Sequence, residues 1–267
     1  MYLKKRAVRV VCAAMAAMML LSGCGTGGST SGDGCWESQA AENTGGGVQD
    51  RTSVNKRKLS DQTTYDPYKT ADQNEWEDMY GIYDQLFREE ADGSVVPNLV
   101  TEYSFSDDGT ELTMGIRDDV TFHNGEPLTV DDVVFSLNTA IASSFTTKFT
   151  SVMDHAEKVD DSTVKLVLKH AYSPILVCLV SASTSIVPQA VYEADPDSFT
   201  ASPIGSGPYM VSEIVKGERY VYEAYPDYWR GEAPIKTVVA RVIPDGNAAL
   251  MALESGELDV MQPNQDY

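Results

Sequence analysis

Positive charge is scarce in this sequence, which has 20 lysines and arginines against 40 aspartates and glutamates, for a formal net charge of −20. Proteins that bind nucleic acid need clustered cations to replace the counterions condensed on phosphates. The acidic balance therefore excludes nucleic acid as a partner and is typical of a self-repelling surface. It also mildly favours cationic ligands.

Cysteine is scarce too, and the four residues, Cys12, Cys24, Cys35 and Cys178, fall in segments of different character. They show neither a pairing pattern nor a CxxC spacing, so neither a disulfide framework nor a zinc site is indicated. Cys178 lies in an apolar stretch and is predicted to be a small buried hydrophobe. A bond between Cys35 and Cys178 stays open as an alternative.

Common catalytic signatures are absent: no GxSxG, HExxH or glycine-rich phosphate loop occurs. The nearest approach, Gly205-Ser206-Gly207-Pro208, lacks the second glycine of a nucleophile elbow and precedes a predicted strand instead of a helix. His123, His155 and His170 are too scattered to form a metal site by spacing, and His123 belongs to a turn. We therefore expect no enzyme, no metal site and no cofactor.

The N-terminal segment has the layout of a secretory signal, predicted over residues 1–23. Four cations in Met1–Arg9 precede the apolar run Val10–Leu21, which is shorter than the roughly 20 residues that span a bilayer. Leu21-Ser22-Gly23-Cys24 resembles the bacterial lipobox, which implies lipidation at Cys24. An ordinary signal peptide with a chance cysteine is the alternative.

A Gly-, Ser- and Thr-rich stretch, Thr26–Gln49, has too few apolar residues to offset the entropy of ordering. Residues 24–57 are therefore predicted to form the lipid anchor and a flexible tether, and residues 58–267 the folded body. This arrangement predicts an extracytoplasmic protein, lipid-anchored to the bacterial cell membrane.

The body is predicted to be mixed α/β, since period-two and three-to-four-residue apolar spacings both occur in it. Helices are predicted over Glu75–Phe87, Thr129–Ala142 with Thr129 as N-cap, and Ala248–Leu253. Strands are predicted over Glu111–Ile116, Ser162–Lys169, Tyr209–Val215, Arg219–Tyr225 and Val238–Ile243.

Two turns are predicted from glycine. Phe122–Pro127, which contains Asn124-Gly125, suits a hairpin, and Gly205 and Gly207 suit a tight turn with positive φ before a strand.

Several short motifs occur in a characteristic order: Tyr65-Asp66-Pro67, Val96–Leu99, Ser106–Thr110, Ile116–Thr129, Asp131–Ser136, Pro203–Tyr209, Tyr225–Trp229 and Gly256–Asp259. Together they resemble the family 5 solute-binding proteins of peptide and nickel ABC importers, over nearly everything after Lys58. The phrase from Ile116 to Ser136 is the most specific of these motifs.

The resemblance implies a periplasmic-binding-protein-like type II fold, in which two lobes close around a ligand. Residues 58–98 and 203–267 would build the first lobe, and residues 99–202 its appended subdomain. The second lobe is expected next in sequence and is missing, so the family 5 domain of 58–267 is expected to be truncated.

By the same resemblance, the chain would be a monomer that captures peptides and delivers them to ABC permease subunits. The implied ligand-binding residues are Asp72 and Gln73 in a cleft loop, Phe149 as an aromatic wall, and Ser206 and Tyr209 at a strand entry. Core packing is the alternative role for Phe149 and Tyr209. Alternative functions are nickel or other small-solute binding, and a non-transport fragment or partner-binding lipoprotein.

Overall fold

The structure, a computed structural model, describes residues 52–262 of the chain. The predicted signal, Cys24 and nearly all of the predicted tether lie outside these residues. No helix within them is both long and apolar enough to cross a membrane.

Strands make up two four-stranded sheets and a two-stranded ribbon in the described part of the chain. In spatial order, the first sheet consists of β1 (Ser53–Lys58), β10 (Thr237–Val242), β9 (Arg219–Ala224) and β8 (Tyr209–Val215). The second sheet consists of β4 (Val100–Phe105), β5 (Glu111–Ile116), β7 (Thr163–Leu168) and β6 (Met153–Asp160). The ribbon pairs β2 (Phe87–Glu89) with β3 (Val95–Pro97).

Helices cover the sheets, and each sheet has its own buried core. The helices are α1 (Gln73–Ile82), α2 (Val130–Ala142), α3 (Thr147–Thr150), α4 (Ile175–Cys178), α5 (Gln189–Ala194) and α6 (Gly246–Ser255). Helix α1 contacts the first sheet and α2 the second. Cys178 is buried, as predicted. The second sheet lies wholly inside the range expected for the subdomain, and the mixed α/β class is confirmed.

Strand β1 corrects the predicted end of the tether, because residues 53–57 are paired in parallel with β10. The segment Ser-Val-Asn-Lys-Arg-Lys has no apolar alternation, so its own pattern gives no strand signal. Its lysines are accommodated by a distant partner: Lys56 Nζ and Lys58 Nζ lie 2.5 and 2.6 Å from the two carboxylate oxygens of buried Asp78. Long-range pairing therefore defines this strand.

Helix α2 and the preceding hairpin match their predictions. Thr129 Oγ1 accepts from the Asp132 amide at 3.3 Å, and Asp132 Oδ2 accepts from the Thr129 amide at 2.8 Å, which forms a capping box. In the hairpin, the Phe122 amide donates to the Glu126 carbonyl at 2.8 Å, and Gly125 has a φ of +82°.

Helix α1 ends five residues earlier than predicted. Its cap, Tyr83, is extended, with φ −117° and ψ 146°, and the freed Ile82 carbonyl accepts from the Gly207 amide at 2.9 Å. Leu86 and Phe87 are fully buried all the same, at the residue before β2 and at its first residue. The apolar spacing therefore continues across a change of secondary structure.

Gly205 and Gly207 are required because their backbone lies very close to the end of α1. The prediction that they adopt positive φ was wrong. Neither is among the glycines with positive φ in the described residues. A Cβ on Gly205 would overlap the Ile82 carbonyl, and one on Gly207 would lie 2.6 Å from the Ile82 carbonyl carbon. Only glycine lets this segment pack against the end of α1.

His123 fixes the same glycine segment from the opposite side. Its Nδ1 accepts from the Gly205 amide at 3.2 Å, and its Nε2 donates to the Gly207 carbonyl at 2.9 Å. Both bonds require a neutral ring with the proton on Nε2. Burial lowers the pKa of His123 from 6.5 to about 4. These two bonds give His123 a structural role.

We predict that His123 makes folding sensitive to mild acid. The unfolded state protonates near pH 6.5 and the folded state only near 4, so this contribution is complete above pH 6.5 and is lost as the pH falls toward 4. The loss should approach about 3 kcal/mol of unfolding free energy. Urea unfolding between pH 7.5 and 4.5 measures it. The His123→Gln variant should show a smaller pH dependence, and an unchanged slope would contradict the assignment.

Candidate functional site

Two segments distant in sequence lie side by side at the start of α1. Ser143 Oγ donates to the Tyr68 carbonyl at 2.6 Å. The rings of Trp76 and Phe149 meet edge to face, with centroids 5.7 Å apart. We call the surface of residues 69–76 and 143–149 the wall.

The first segment of the wall is organised by the N-cap of α1. Asp72 has extended backbone, and its Oδ1 accepts from the Asn74 amide at 2.9 Å and from Asn74 Nδ2 at 3.1 Å. The Asp72 amide in turn donates to Thr70 Oγ1 at 3.0 Å. These bonds fix the loop, and the predicted ligand residues Asp72 and Gln73 are both exposed on it.

The second segment is pinned by threonine and serine hydroxyls. Thr146 is fully buried, and its Oγ1 donates to the Ser143 carbonyl at 3.1 Å. The Phe145 amide donates to Ser143 Oγ at 3.2 Å. Phe145 is therefore held at the surface with 51% of its area exposed, whereas Phe149 is half-buried against Trp76.

Phe145 is the aromatic residue of the wall that sequence reasoning missed. The run from Ser143 to Ser151 is polar apart from its two phenylalanines, so it has no periodic pattern that separates a buried ring from an exposed one. Phe149 is also placed in the wall, but its contact with Trp76 gives it a packing role as well.

Ser206 lies elsewhere, in a buried cluster around Asp84. Ser206 is fully buried, and its Oγ donates to Asp84 Oδ2 at 3.1 Å. Trp229 Nε1 donates to the same oxygen at 3.0 Å. Asn98 Nδ2 and the Tyr228 hydroxyl donate to Oδ1 at 3.0 and 3.2 Å. Burial raises the pKa of Asp84, and the four donors oppose that rise. The geometry thus gives Ser206 a structural role.

Tyr209 lies away from the wall, where it lines a cavity of about 200 Å³ at the far end of α1. Its hydroxyl donates to the Ile235 carbonyl at 3.0 Å, and a Cβ on Gly81 in the last turn would lie 3.6 Å from its ring. Gly81 follows Asp72 by nine residues, which places it about 13 Å further along the helix axis. The structure therefore brings Asp72, Gln73 and Phe149 together and leaves Ser206 and Tyr209 apart from them.

Metal ligands are not grouped in the described part of the chain: residues 52–262 hold no cluster of three or more His, Cys, Asp or Glu side chains suited to a metal ion. The wall instead offers hydrogen-bonding groups, an exposed aromatic ring and the exposed ammonium group of Lys148. Such a surface can bind a polar organic molecule with an apolar portion.

Comparison with known families matches residues 94–267 to a family described as bacterial extracellular solute-binding proteins, family 5 Middle. The nickel-binding periplasmic protein of Escherichia coli is 28% identical over 197 residues, covering 69% of this chain and 36% of that protein. The dipeptide-binding protein of Escherichia coli is 28% identical over 192 residues, covering 62% of this chain and 36% of that protein.

Solved structures show the same fold. The oligopeptide-binding protein AppA from Bacillus subtilis, in complex with a nonapeptide, has 25% identity and a TM-score of 0.72 over 79% of this chain and 44% of AppA. NikA from Brucella suis, in complex with Fe(III)-EDTA, has 26% identity and a TM-score of 0.70 over 77% of this chain and 42% of NikA. This chain thus spans less than half the length of these relatives.

We predict that Ser206→Ala destabilises the protein by about 2 kcal/mol, because a buried carboxylate loses one of its donors. Ser212→Ala is the matched control, since Ser212 is exposed and its Oγ donates to the Val221 carbonyl at 3.2 Å. The control should change stability by no more than about 0.5 kcal/mol. Urea unfolding measures the stability of both variants. Equally small losses of stability in both would contradict the structural role of Ser206.

Proposed function

This chain belongs to the bacterial extracellular solute-binding proteins of family 5, and from that premise we propose that it captures peptides outside the cytoplasm for an ABC importer. The observation that carries the proposal is the wall, where two fixed segments present polar groups and an aromatic ring on one surface. Members of this family are transport proteins and not enzymes, and we propose the same for this chain.

Peptides are the proposed ligand class because several relatives carry that specificity in their names. They include a dipeptide-binding protein of Escherichia coli and the oligopeptide-binding protein AppA of Bacillus subtilis. In our proposal, backbone groups around Asp72 and Gln73 bind the peptide main chain, and Phe145 and Phe149 contact its side chains. Main-chain hydrogen bonds are independent of side-chain identity, so varied peptides would be accepted.

The wall would form one side of a cleft, and a second lobe would supply the other side. A ligand that contacts both lobes stabilises the closed state by its differential affinity. The permease subunits would then receive the ligand from the closed protein, which we propose acts as a monomer.

Nickel or another small solute is the second candidate, supported by the likeness to the nickel-binding periplasmic protein of Escherichia coli. His123 is already committed to Gly205 and Gly207, so it is not available as a ligand in this fold. A nickel titration alongside the peptide titration separates the two candidates.

The test of the proposal is calorimetric titration of residues 25–267 with a mixture of di- to pentapeptides, after circular dichroism has shown that the body is folded. Weak but saturable heat is the expected result, because the wall supplies only one side of the cleft. A folded body that takes up no peptide would reject peptide capture by this chain.

We predict that Phe145→Ala weakens peptide binding by about tenfold while stability changes little, since the exposed ring supplies contact area to the ligand. Phe105→Ala is the matched control, because Phe105 is 42% exposed but lies on β4 of the second sheet. The Phe105→Ala variant should bind peptide as tightly as the unmodified chain does. Equal affinities for all three proteins would exclude Phe145 from the ligand surface.

We also propose that the chain is held at the membrane by a lipid on Cys24, which lies outside the described residues. Cys24→Ser should abolish incorporation of labelled fatty acid and release the protein from the membrane fraction of the host cell. The Cys12→Ser variant, altered within the predicted signal, should remain labelled. Labelling that persists in Cys24→Ser would contradict the lipobox interpretation.

A further inference from the structure

One hydroxyl group connects the two sides of the wall. Ser143 Oγ donates to the Tyr68 carbonyl at 2.6 Å and accepts from the Phe145 amide at 3.2 Å. Tyr68 immediately precedes the first segment, and Phe145 carries the exposed ring of the second. Because a hydroxyl has one proton to donate and lone pairs that accept, one serine can form both bonds at the same time.

The acceptor on the Tyr68 side is fixed in the core of the first sheet. Tyr68 is buried there, and its amide donates to Oδ1 of buried Asp66 at 2.9 Å. Its hydroxyl donates to the Ser185 carbonyl at 2.7 Å. The Tyr68 carbonyl is therefore held from both sides, and a group that bonds to it takes up a defined position.

Ser143 itself lies at the end of α2, where its backbone is also fixed. Its amide donates to the Thr139 carbonyl at 3.1 Å, and its carbonyl accepts from Thr146 Oγ1 at 3.1 Å. Its backbone is extended, with φ −79° and ψ 136°. Because α2 contacts the second sheet, the Ser143 hydroxyl joins the end of that helix to the core of the first sheet.

Phe145 depends on its backbone for its position. Its ring is 51% exposed, and within residues 52–262 it pairs with no other aromatic ring, whereas Phe149 pairs with Trp76. A ring with so little packing is oriented mainly by the chain that carries it. The bond from the Phe145 amide to Ser143 is therefore the contact that sets where this ring lies.

We propose that Ser143 is a positioning residue that acts through Phe145, because its hydroxyl holds the ring where a bound peptide contacts it. The inference rests on the proposed function and deepens it, since it identifies the group that prepares this part of the ligand surface before binding. A side chain already held in its bound position loses less conformational freedom on binding. Ligand contact at Phe145, in the range expected for the subdomain, then depends on the core of the first sheet.

The experiment titrates the tightest-binding member of the peptide mixture against the full chain in detergent. The variants are Ser143→Ala, Ser143→Thr, Phe145→Ala, the double variant Ser143→Ala with Phe145→Ala, and the control Ser212→Ala. Threonine keeps the hydroxyl and suits extended backbone. Ser212 lies on β8, and its Oγ also donates to a backbone carbonyl, that of Val221 at 3.2 Å. Urea unfolding shows that each variant is folded.

Ser143→Ala should weaken peptide binding about fivefold, because binding must now order a side chain that is no longer held. Ser143→Thr and Ser212→Ala should bind as the unmodified chain does. In the Phe145→Ala background, adding Ser143→Ala should cost no further affinity. Residues that act as one unit are non-additive, whereas a general structural effect of Ser143 would weaken binding by the same factor in both backgrounds.

Three results would overturn the inference and leave the proposed function standing. They are full affinity in Ser143→Ala, an equal loss with and without the Phe145 ring, and a loss in Ser143→Thr as large as in Ser143→Ala. If Ser143→Ala does not fold, Ser143→Cys replaces it, since a thiol is only a weak donor. If no peptide of the mixture binds the folded unmodified chain, the proposed function fails and the positioning role fails with it.

Discussion

The buried carboxylate of Asp84 is the interaction on which the arrangement of this chain depends. Its two oxygens accept from Asn98, Ser206, Tyr228 and Trp229, which come from three separate stretches of sequence. A buried charge is costly unless hydrogen bonds satisfy it, so these stretches must stay together for the fold to be stable. The Asp84 carbonyl also accepts from the Ile186 amide, which connects Asp84 to the core of the second sheet.

The position of α1 depends on this hydrogen-bonded cluster around Asp84. The helix ends where the Gly207 amide reaches the Ile82 carbonyl, two residues before Asp84. Near the middle of the helix, Asp78 binds Lys56 and Lys58 of β1, and these cations hold the pKa of Asp78 low in spite of its burial. With its end and middle fixed, the helix presents its N-terminal loop in one orientation, as a pre-organised binding surface requires.

The wall joins parts of the chain that have different structural tasks. Trp76 is buried and joins the two segments through its contact with Phe149, whereas Asp72, Gln73 and Phe145 are exposed on them. Rigid support under exposed groups lowers the entropy lost on binding.

The sequence by itself determined the elements whose signals are local. The strand Glu111–Ile116, the capping box of α2 and the hairpin at Gly125 depend on side-chain alternation, a cap and a turn residue within a few positions. Only the tertiary structure decided the pairing of β1, the close approach of Gly205 and the role of Ser206. These depend on partners tens to nearly two hundred residues away, and contacts at that separation leave no periodic pattern in the sequence.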